Sequence, residues 1–471
     1  MIPRASENNR NSGVVDSLAV HNTCISAFLF LLVALCLGGC RSSLPTSTVT
    51  PSLPPLHTPT PLSSPTATVS PTATLTPVPT ASFPKIDRSP RAVTIEDWAP
   101  WAGQTLTTTL KYNPASPDLW QMDLRTQDLS QLDLGYSLND LLFASFDDRT
   151  LWPAADKMPF SFDPQRIMEL GKDPGLGVRS LLARGITGKG IGIAIIDLPL
   201  LVDHQEYRGQ LRLYEELFFH AEISQQPAGM HGAAAASIAV GQTVGVAPQA
   251  DLYFIAADLA TGQDASGSYQ YDFTKAAQAV RRILEINQQL PPERKIRVIA
   301  MSFGWASNLA GYEEITAAVA EARAQGVFII CAYPSMEQIY GFKFYGLERS
   351  PLSPPDLFVS YSRSHFCDLF GNVSPLCQAG RLLVPMSSRT TASPMGKDEY
   401  VFYRMGGESW TIPYLAGMYA LAAQVDPSIT PERFWELALQ TGRSVDITGS
   451  SGNYTLEPIL DPIALVGVLE K

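Results

Sequence analysis

From Asp163 onward the apolar positions fall into short unbroken runs, separated by longer stretches with helical spacing. Ile191-Gly192-Ile193-Ala194-Ile195-Ile196 carries no polar side chain and ends at Asp197. An apolar run that does not alternate predicts a strand buried on both faces. Leu252 to Ala256 and Val327 to Ala332 repeat this pattern, and Ile296 to Met301 does so apart from Arg297. Between them, Thr274 to Asn287 places Ala276, Val280, Ile283 and Leu284 on one helical side, and Tyr312 to Gln325 reads as a second helix. Strands alternating with helices predict an α/β fold with a doubly wound, mostly parallel sheet flanked by helices. Pro174 to Gly185 reads as a helix ending in glycine, and Gly188-Lys189-Gly190 as a turn. Pro431 to Leu439 reads as a closing helix, with Thr430 as its cap, proline at its first position and Glu432 in its first turn.

Binding and catalytic groups in such sheets gather at the carboxyl ends of strands. Asp197, Ser302 and Tyr333 stand at such ends. Two further stretches carry chemistry. Met230-His231-Gly232-Ala233-Ala234-Ala235-Ala236-Ser237 puts a histidine at the start of a thin, alanine-rich helix. Gly406-Gly407-Glu408-Ser409-Trp410 leads a glycine pair into a serine, followed by the apolar run Tyr414 to Val425. A serine before a helix lies in the field of unpaired N–H groups, and glycine lets another backbone approach it. Taken singly, a histidine at a helix start is most often an ordinary polar residue. The order Asp197, His231, Ser409 changes that reading, because it joins an acid, a base and a nucleophile.

With these motifs the chain resembles the subtilisin-like serine peptidases (subtilases) over roughly Gly185 to Asp461. Gly188 to Asp197 resembles the first motif of that family. His231 to Gly241, followed by Val244-Gly245-Val246-Ala247-Pro248, resembles the second. Gly407-Glu408-Ser409-Trp410-Thr411-Ile412-Pro413 resembles the serine motif, and Met301-Ser302-Phe303-Gly304 resembles the strand that lines the substrate groove. The resemblance implies a serine endopeptidase acting through an acyl-enzyme. Ser409 would attack, His231 would carry the proton and Asp197 would orient the imidazole. Met301, Ser302, Phe303 and Gly304 would hold an extended peptide.

The chain departs from the family pattern at several points. Leu198 and Pro199 follow the aspartate, and Glu408 and Trp410 flank the serine. The asparagine that the family places after the last strand is replaced by Tyr333-Pro334-Ser335. The Ser409 backbone N–H, Tyr333 and Ser335 are the remaining oxyanion candidates. A catalytically silent, peptide- or partner-binding module of the same fold is the alternative reading. Subtilases often bind calcium, but no calcium motif stands here, and no metal or cofactor is expected.

The N-terminal part reads differently. Ile25 to Leu37 is apolar and of signal-peptide length, and Leu37-Gly38-Gly39-Cys40 resembles a bacterial lipobox with Cys40 as the lipidated residue. Residues 1–39 are therefore expected to be a signal peptide. Residues 40–84 are a linker dominated by Thr, Pro and Ser, which lacks the apolar surface to fold and is expected to be disordered. Residues 85–162 form a small segment of unknown role, in which Asp-Leu pairs recur without an evident fixed period, and residues 163–471 form the peptidase-like domain. The expectation is a monomeric, extracytoplasmic lipoprotein, anchored to a membrane through lipid and acting on peptides or proteins. A net charge of −11 leaves no basic excess for nucleic acid. Cys367 and Cys377 flank one loop and can pair outside the cell, whereas Cys331 lies in an apolar strand as a buried thiol.

Overall fold

The computed structural model describes residues 83–471, apart from 99–101, 109–110, 117, 119, 220–224, 265–267, 371–373 and 450–451. The expected signal peptide, Cys40 and nearly all of the linker lie outside the described residues. Six strands build the central sheet: β1 (Lys85–Ile86), β2 (Gly192–Asp197), β3 (Leu211–Leu217), β4 (Asp251–Ala257), β5 (Ile296–Met301) and β6 (Phe328–Cys331). Their order is β1-β3-β4-β2-β5-β6, and every neighbouring pair is parallel. All of β2 and β4 is buried, which is why their sequences show unbroken apolar runs. From β2 the chain passes to β3 and β4 on one side, then crosses to β5 and β6 on the other. That reversal opens a crevice at the carboxyl end of β2.

The helices that bear on the sheet are α1 (Met230–Val240), α2 (Thr274–Gln289), α3 (Tyr312–Ala324), α4 (Thr411–Val425), α5 (Pro431–Gln440) and α6 (Pro462–Leu469). Helix α2 packs on α3, and α1 packs on α4. The alanines of α1 are what allow it to lie so close to its neighbours. At Gly232 even a methyl group is excluded, since a Cβ there would stand 2.2 Å from the Leu198 carbonyl oxygen. Helix α5 is not the last element. Asp461 caps α6 by accepting from the Ala464 N–H at 3.0 Å, and Pro462 opens it.

The helix expected over 174–185 begins later, at Val178. Gly175, Leu176 and Gly177 all have positive φ, of 85°, 55° and 82°, a run that no right-handed helix accommodates. The stretch from Tyr340 to Thr391, rich in proline and serine, reads in sequence as a surface insertion and is interior in part, at its strands. Phe344–Arg349 is a fully buried strand. It joins Tyr361–Ser362, Leu382–Pro385, Arg443–Gly449 and Gly452–Ile459 in a five-stranded second sheet.

Residues 85–162 pack against the rest. Strand β1 extends the central sheet beside β3, and Phe146–Asp147 pairs with Tyr400–Tyr403 in a three-stranded sheet. Leu124, Leu129, Leu134, Leu141 and Phe146 form a separate core with Ile167, Met168 and Phe402. The Asp-Leu recurrence does have a period: Asp118, Asp123, Asp128 and Asp133 are five residues apart. Each accepts, through Oδ1, the N–H two residues on, from Trp120, Arg125, Ser130 and Gly135 respectively. These are Asx-turns, in which the carboxylate replaces a backbone acceptor.

Candidate active site

Asp197 closes β2 with its side chain buried. His231 stands in the first turn of α1, with its ring partly exposed at 13%. The imidazole Nδ1 lies 2.8 Å from Asp197 Oδ1 and 2.9 Å from Oδ2. Oδ1 also accepts the Leu198 N–H at 2.7 Å, which fixes the carboxylate against the backbone. A carboxylate that accepts from Nδ1–H holds the proton on that nitrogen and leaves Nε2 as the basic one. Asp203, the nearby acid in the loop beyond, is exposed and holds no such position.

Ser409 sits in the short turn Glu408–Trp410, immediately before α4. Gly407 enters that turn at φ 65° and ψ −175°, a conformation natural to glycine. Thr411 Oγ1 donates to the Glu408 carbonyl at 2.5 Å, and Ser302 Oγ donates to the Ser409 carbonyl at 3.1 Å. The turn packs on α1, with the Trp410 ring 5.3 Å from the His231 ring. The nucleophile candidate is thus held from two sides, beside the helix that carries the base. At Gly406 a Cβ would lie 1.8 Å from the Trp410 ring, so the leading glycine makes room for that indole.

A depression runs along the carboxyl ends of β2, β4 and β5. Asp197, His231 and Ser302 line it, with Leu198, Leu259, Tyr271 and Phe303 as apolar walls. The four groove residues are placed differently from one another. Met301 is wholly enclosed in the core, paired between Ile196 of β2 and Cys331 of β6. Ser302 is buried and spends its hydroxyl on the Ser409 carbonyl, whereas Phe303 reaches the depression. Gly304 passes so close to the segment that follows β6 that a Cβ there would lie 2.5 Å from the Tyr333 carbonyl oxygen.

Of the oxyanion candidates, Ser335 is committed elsewhere. Its Oγ donates to the Trp305 carbonyl at 3.0 Å and accepts the Trp305 N–H at 2.7 Å. Tyr333 turns its ring into a cluster with Tyr345, Phe366, Cys367 and Leu376. Its N–H donates to Glu408 Oε1 at 3.1 Å. Glu408 is buried, and burial pushes its carboxyl up to about 7; the Tyr333 N–H and the Arg381 charge pull against that, and Glu337 adds to it. Cys331 beside it is a free, buried thiol, which burial pushes well above the usual thiol range. Cys367 and Cys377 are joined in a disulfide.

Sequence reasoning missed an aromatic series that leads away from the base. The rings of Trp120, Tyr403, Trp410 and His231 follow one another at 6.0, 5.5 and 5.3 Å. The Arg125 guanidinium lies 4.7 Å from the Trp98 ring and 5.3 Å from the Tyr403 ring, and pairs with Asp123. Trp98, Trp120 and Arg125 come from the segment 85–162, so that segment supports the side of the site on which Trp410 stands. No motif signals this. His204, a residue of the loop after β2, is buried: its Nδ1 accepts the Glu206 N–H at 3.2 Å and its Nε2 donates to the Glu399 carbonyl at 2.9 Å. Burial holds it below the usual imidazole range. Among the described residues, no three His, Cys, Asp or Glu side chains converge as a metal site would need, and no helix is long and apolar enough to cross a membrane.

A model of the subtilase family, peptidase S8, matches residues 188–333, a stretch that contains Asp197 and His231 and ends before Ser409. The major intracellular serine protease of Bacillus subtilis (strain 168) is 27% identical over 181 residues, which is 36% of this chain and 51% of that protein. The chain thus spans about half the length of this curated relative. Among solved structures, the prenylagaramide maturation protease PagA is similar at a TM-score of 0.39 and 14% identity, over 62% of this chain and 98% of that one.

Proposed function

Because residues 188–333 match the subtilase family, we propose that the chain is a serine peptidase that cleaves peptide bonds through Asp197, His231 and Ser409. The observation that carries this reading is the bond between Asp197 and His231 Nδ1, at 2.8 Å, beside the turn that presents Ser409. In the first step His231 Nε2 takes the Ser409 hydroxyl proton as Oγ bonds to the substrate carbonyl carbon. The carbonyl π pair moves onto oxygen, where the Ser409 N–H donates to it. The C–N bond then breaks, the amine leaves with the proton from Nε2, and an acyl-enzyme remains. Water reverses these roles and frees the acid product. Throughout, Asp197 offsets the charge of the imidazolium. The walls of Leu259, Tyr271 and Phe303 suit an apolar substrate side chain next to the scissile bond.

The oxyanion side of the site is altered in this reading. Pro334 has no N–H, Ser335 is engaged with Trp305 and the Tyr333 N–H is taken by Glu408. Those three facts are also what would support a silent, peptide-binding module. A fluorophosphonate probe separates the two readings. Covalent label on Ser409, located by mass spectrometry and absent from Ser409→Ala and His231→Ala, is the expected result. A folded chain without label on Ser409 would refute the peptidase reading.

We propose further that the domain works outside the cytoplasm, tethered by lipid on Cys40. Support comes from the sequence: the apolar run Ile25 to Leu37, the motif ending in Cys40, and the Thr/Pro/Ser linker that follows. The wild-type chain should partition into detergent and Cys40→Ala into water. Equal partitioning of the two would rule the tether out.

A further inference from the structure

Trp410, the residue after Ser409, lies against the base, and its side chain makes no hydrogen bond that explains its place. Its ring centre is 5.3 Å from that of His231, at an interplanar angle of 50°. The indole is buried, and its Nε1 has no hydrogen-bond partner among the described residues. A buried N–H without a partner carries a cost of lost hydration, so packing alone holds this ring. Tyr403 meets it edge-on at 5.5 Å and 69°, and the missing side chain at Gly406 gives it room. Tyr403 is itself fixed by Arg125, whose Nη1 donates to its hydroxyl at 3.3 Å.

An indole carries negative charge on its face, and a cation within about 6 Å of the ring centre is attracted to it. His231 is such a cation for only part of the reaction. Its imidazole is neutral while it waits as a base and charged once it has taken the serine proton. Asp197 answers that charge at Nδ1, from one edge of the ring. Trp410 answers it from a second direction, beside a side chain only 13% exposed, where water screens little. The contact is stronger with the charged ring than with the neutral one, and only such a difference raises a rate.

We propose that Trp410 is a positioning residue for the reaction: its indole backs the His231 ring and stabilises the imidazolium that forms as Ser409 loses its proton. This rests on the peptidase reading given above. The stabilisation belongs to the charged ring, however the charge arises. It favours the imidazolium of the transition state and, equally, the imidazolium that forms when the free protein is acidified. Removing the indole therefore lowers the rate where His231 starts neutral, and moves the acid limb of the rate profile to lower pH by the same factor. Where His231 starts charged, the two effects cancel. The other titratable groups around the ring are Asp197 at the end of β2, Asp258 and Tyr271 in the same depression, Glu408 in the turn, Tyr403 behind the indole and Tyr414 on α4. Arg389, on the strand Arg389–Ala392 that packs on α1, reaches Val244 beyond the far end of that helix. All are common to wild type and the Trp410 variants, so a difference between these proteins reports on residue 410.

The test is the rate at which an alkyl fluorophosphonate labels Ser409 in the full chain, resolved into kinact and KI, from about pH 5 to about pH 9. Trp410→Leu keeps an apolar side chain without a π face, and Trp410→Phe keeps a smaller π face. In Trp410→Leu, kinact on the alkaline plateau should fall about threefold with KI little changed, and the midpoint of the acid limb should move down by about 0.5 pH unit. At the acid end the two proteins should label at the same rate. Trp410→Phe should lie between wild type and Trp410→Leu in both quantities. A purely structural role predicts another pattern, in which a displaced imidazole slows labelling by one factor at every pH and the limb does not move. That pattern would overturn the proposal, as would a Trp410→Leu variant with wild-type kinact throughout. Should Trp410→Leu fail to fold, wild type against Trp410→Phe decides alone, through a smaller shift of the same sign. Normal labelling of Ser409 with either overturning result removes the role of Trp410 and leaves the peptidase reading standing. Absence of any label on Ser409 in the wild type removes both.

Discussion

Glu408→Gln makes a prediction about stability that does not depend on catalysis. The wild-type carboxyl is fully buried and pushed from 4.5 to about 7 in the folded chain. Between those values the folded state keeps its proton while the unfolded state releases one. Protons bound preferentially by the folded state make stability fall as pH rises. The fall starts near the unfolded value of about 4.5, is complete near 7 and stays in place above it. At about 1.4 kcal/mol per pH unit, the window corresponds to about 3 kcal/mol. Glutamine has nearly the same shape, can accept the Tyr333 N–H through its carbonyl oxygen, and does not titrate. The two proteins should be unfolded by urea at a series of pH values. The difference between them cancels every other titrating group. It should grow in favour of glutamine by about 3 kcal/mol from about pH 4.5 to about pH 7, then level off. A difference that does not change with pH would refute the neutral acid. A difference of the opposite sign would mean that Glu408 is ionised and stabilised by Arg381.

Further consequences follow from other contacts. Asp197→Asn keeps the shape at His231 Nδ1 but favours the wrong tautomer, so kcat should fall by about 10³–10⁴ while the protein stays folded, as seen by peptide cleavage and circular dichroism. Gly406→Ala drives a methyl group into the Trp410 ring; it should cost about 1–3 kcal/mol in thermal unfolding, and Trp410→Met in the same chain should recover part of that. Replacing both Cys367 and Cys377 by serine opens a loop of sequence separation 10, with an expected loss of about 2–3 kcal/mol. Because Tyr333 packs in the same cluster as that disulfide, the labelling rate of Ser409 should fall as well. Arg125→Ala strips Asp123 of its buried partner and three rings of their cation; a loss of about 3–5 kcal/mol is expected in the same unfolding assay.

The legible parts of the site were those that short-range chemistry dictates. A buried parallel strand must be apolar along its whole length, so Ile191 to Ile196 announced β2, and Asp197 stood out as its first polar residue. A helix that must slide between a sheet and another helix needs small residues, so the alanines after His231 announced α1. The bond between Asp197 and His231 followed from those two placements. The sequence offers Ser335 as an oxyanion candidate and does not show that its hydroxyl is engaged, because its partner, the Trp305 backbone, is thirty positions away in the chain. The five-residue Asp spacing at 118–133 went unread because its meaning lies in turns rather than in an apolar face.

By itself, the sequence determined the alternation of strands and helices and the order in which Asp197, His231 and Ser409 follow one another. Each of these depends on side-chain type and local spacing, which the chain states directly. Tertiary structure alone decided that residues 85–162 support the Trp410 side of the site, that Phe344–Arg349 and Arg389–Ala392 run through the interior, and that Glu408 loses its hydration. A carboxyl group is polar wherever it is written in a sequence. Only the packing of Tyr333, Cys331 and Arg381 around it removes the water, and that burial pushes its carboxyl above the usual range.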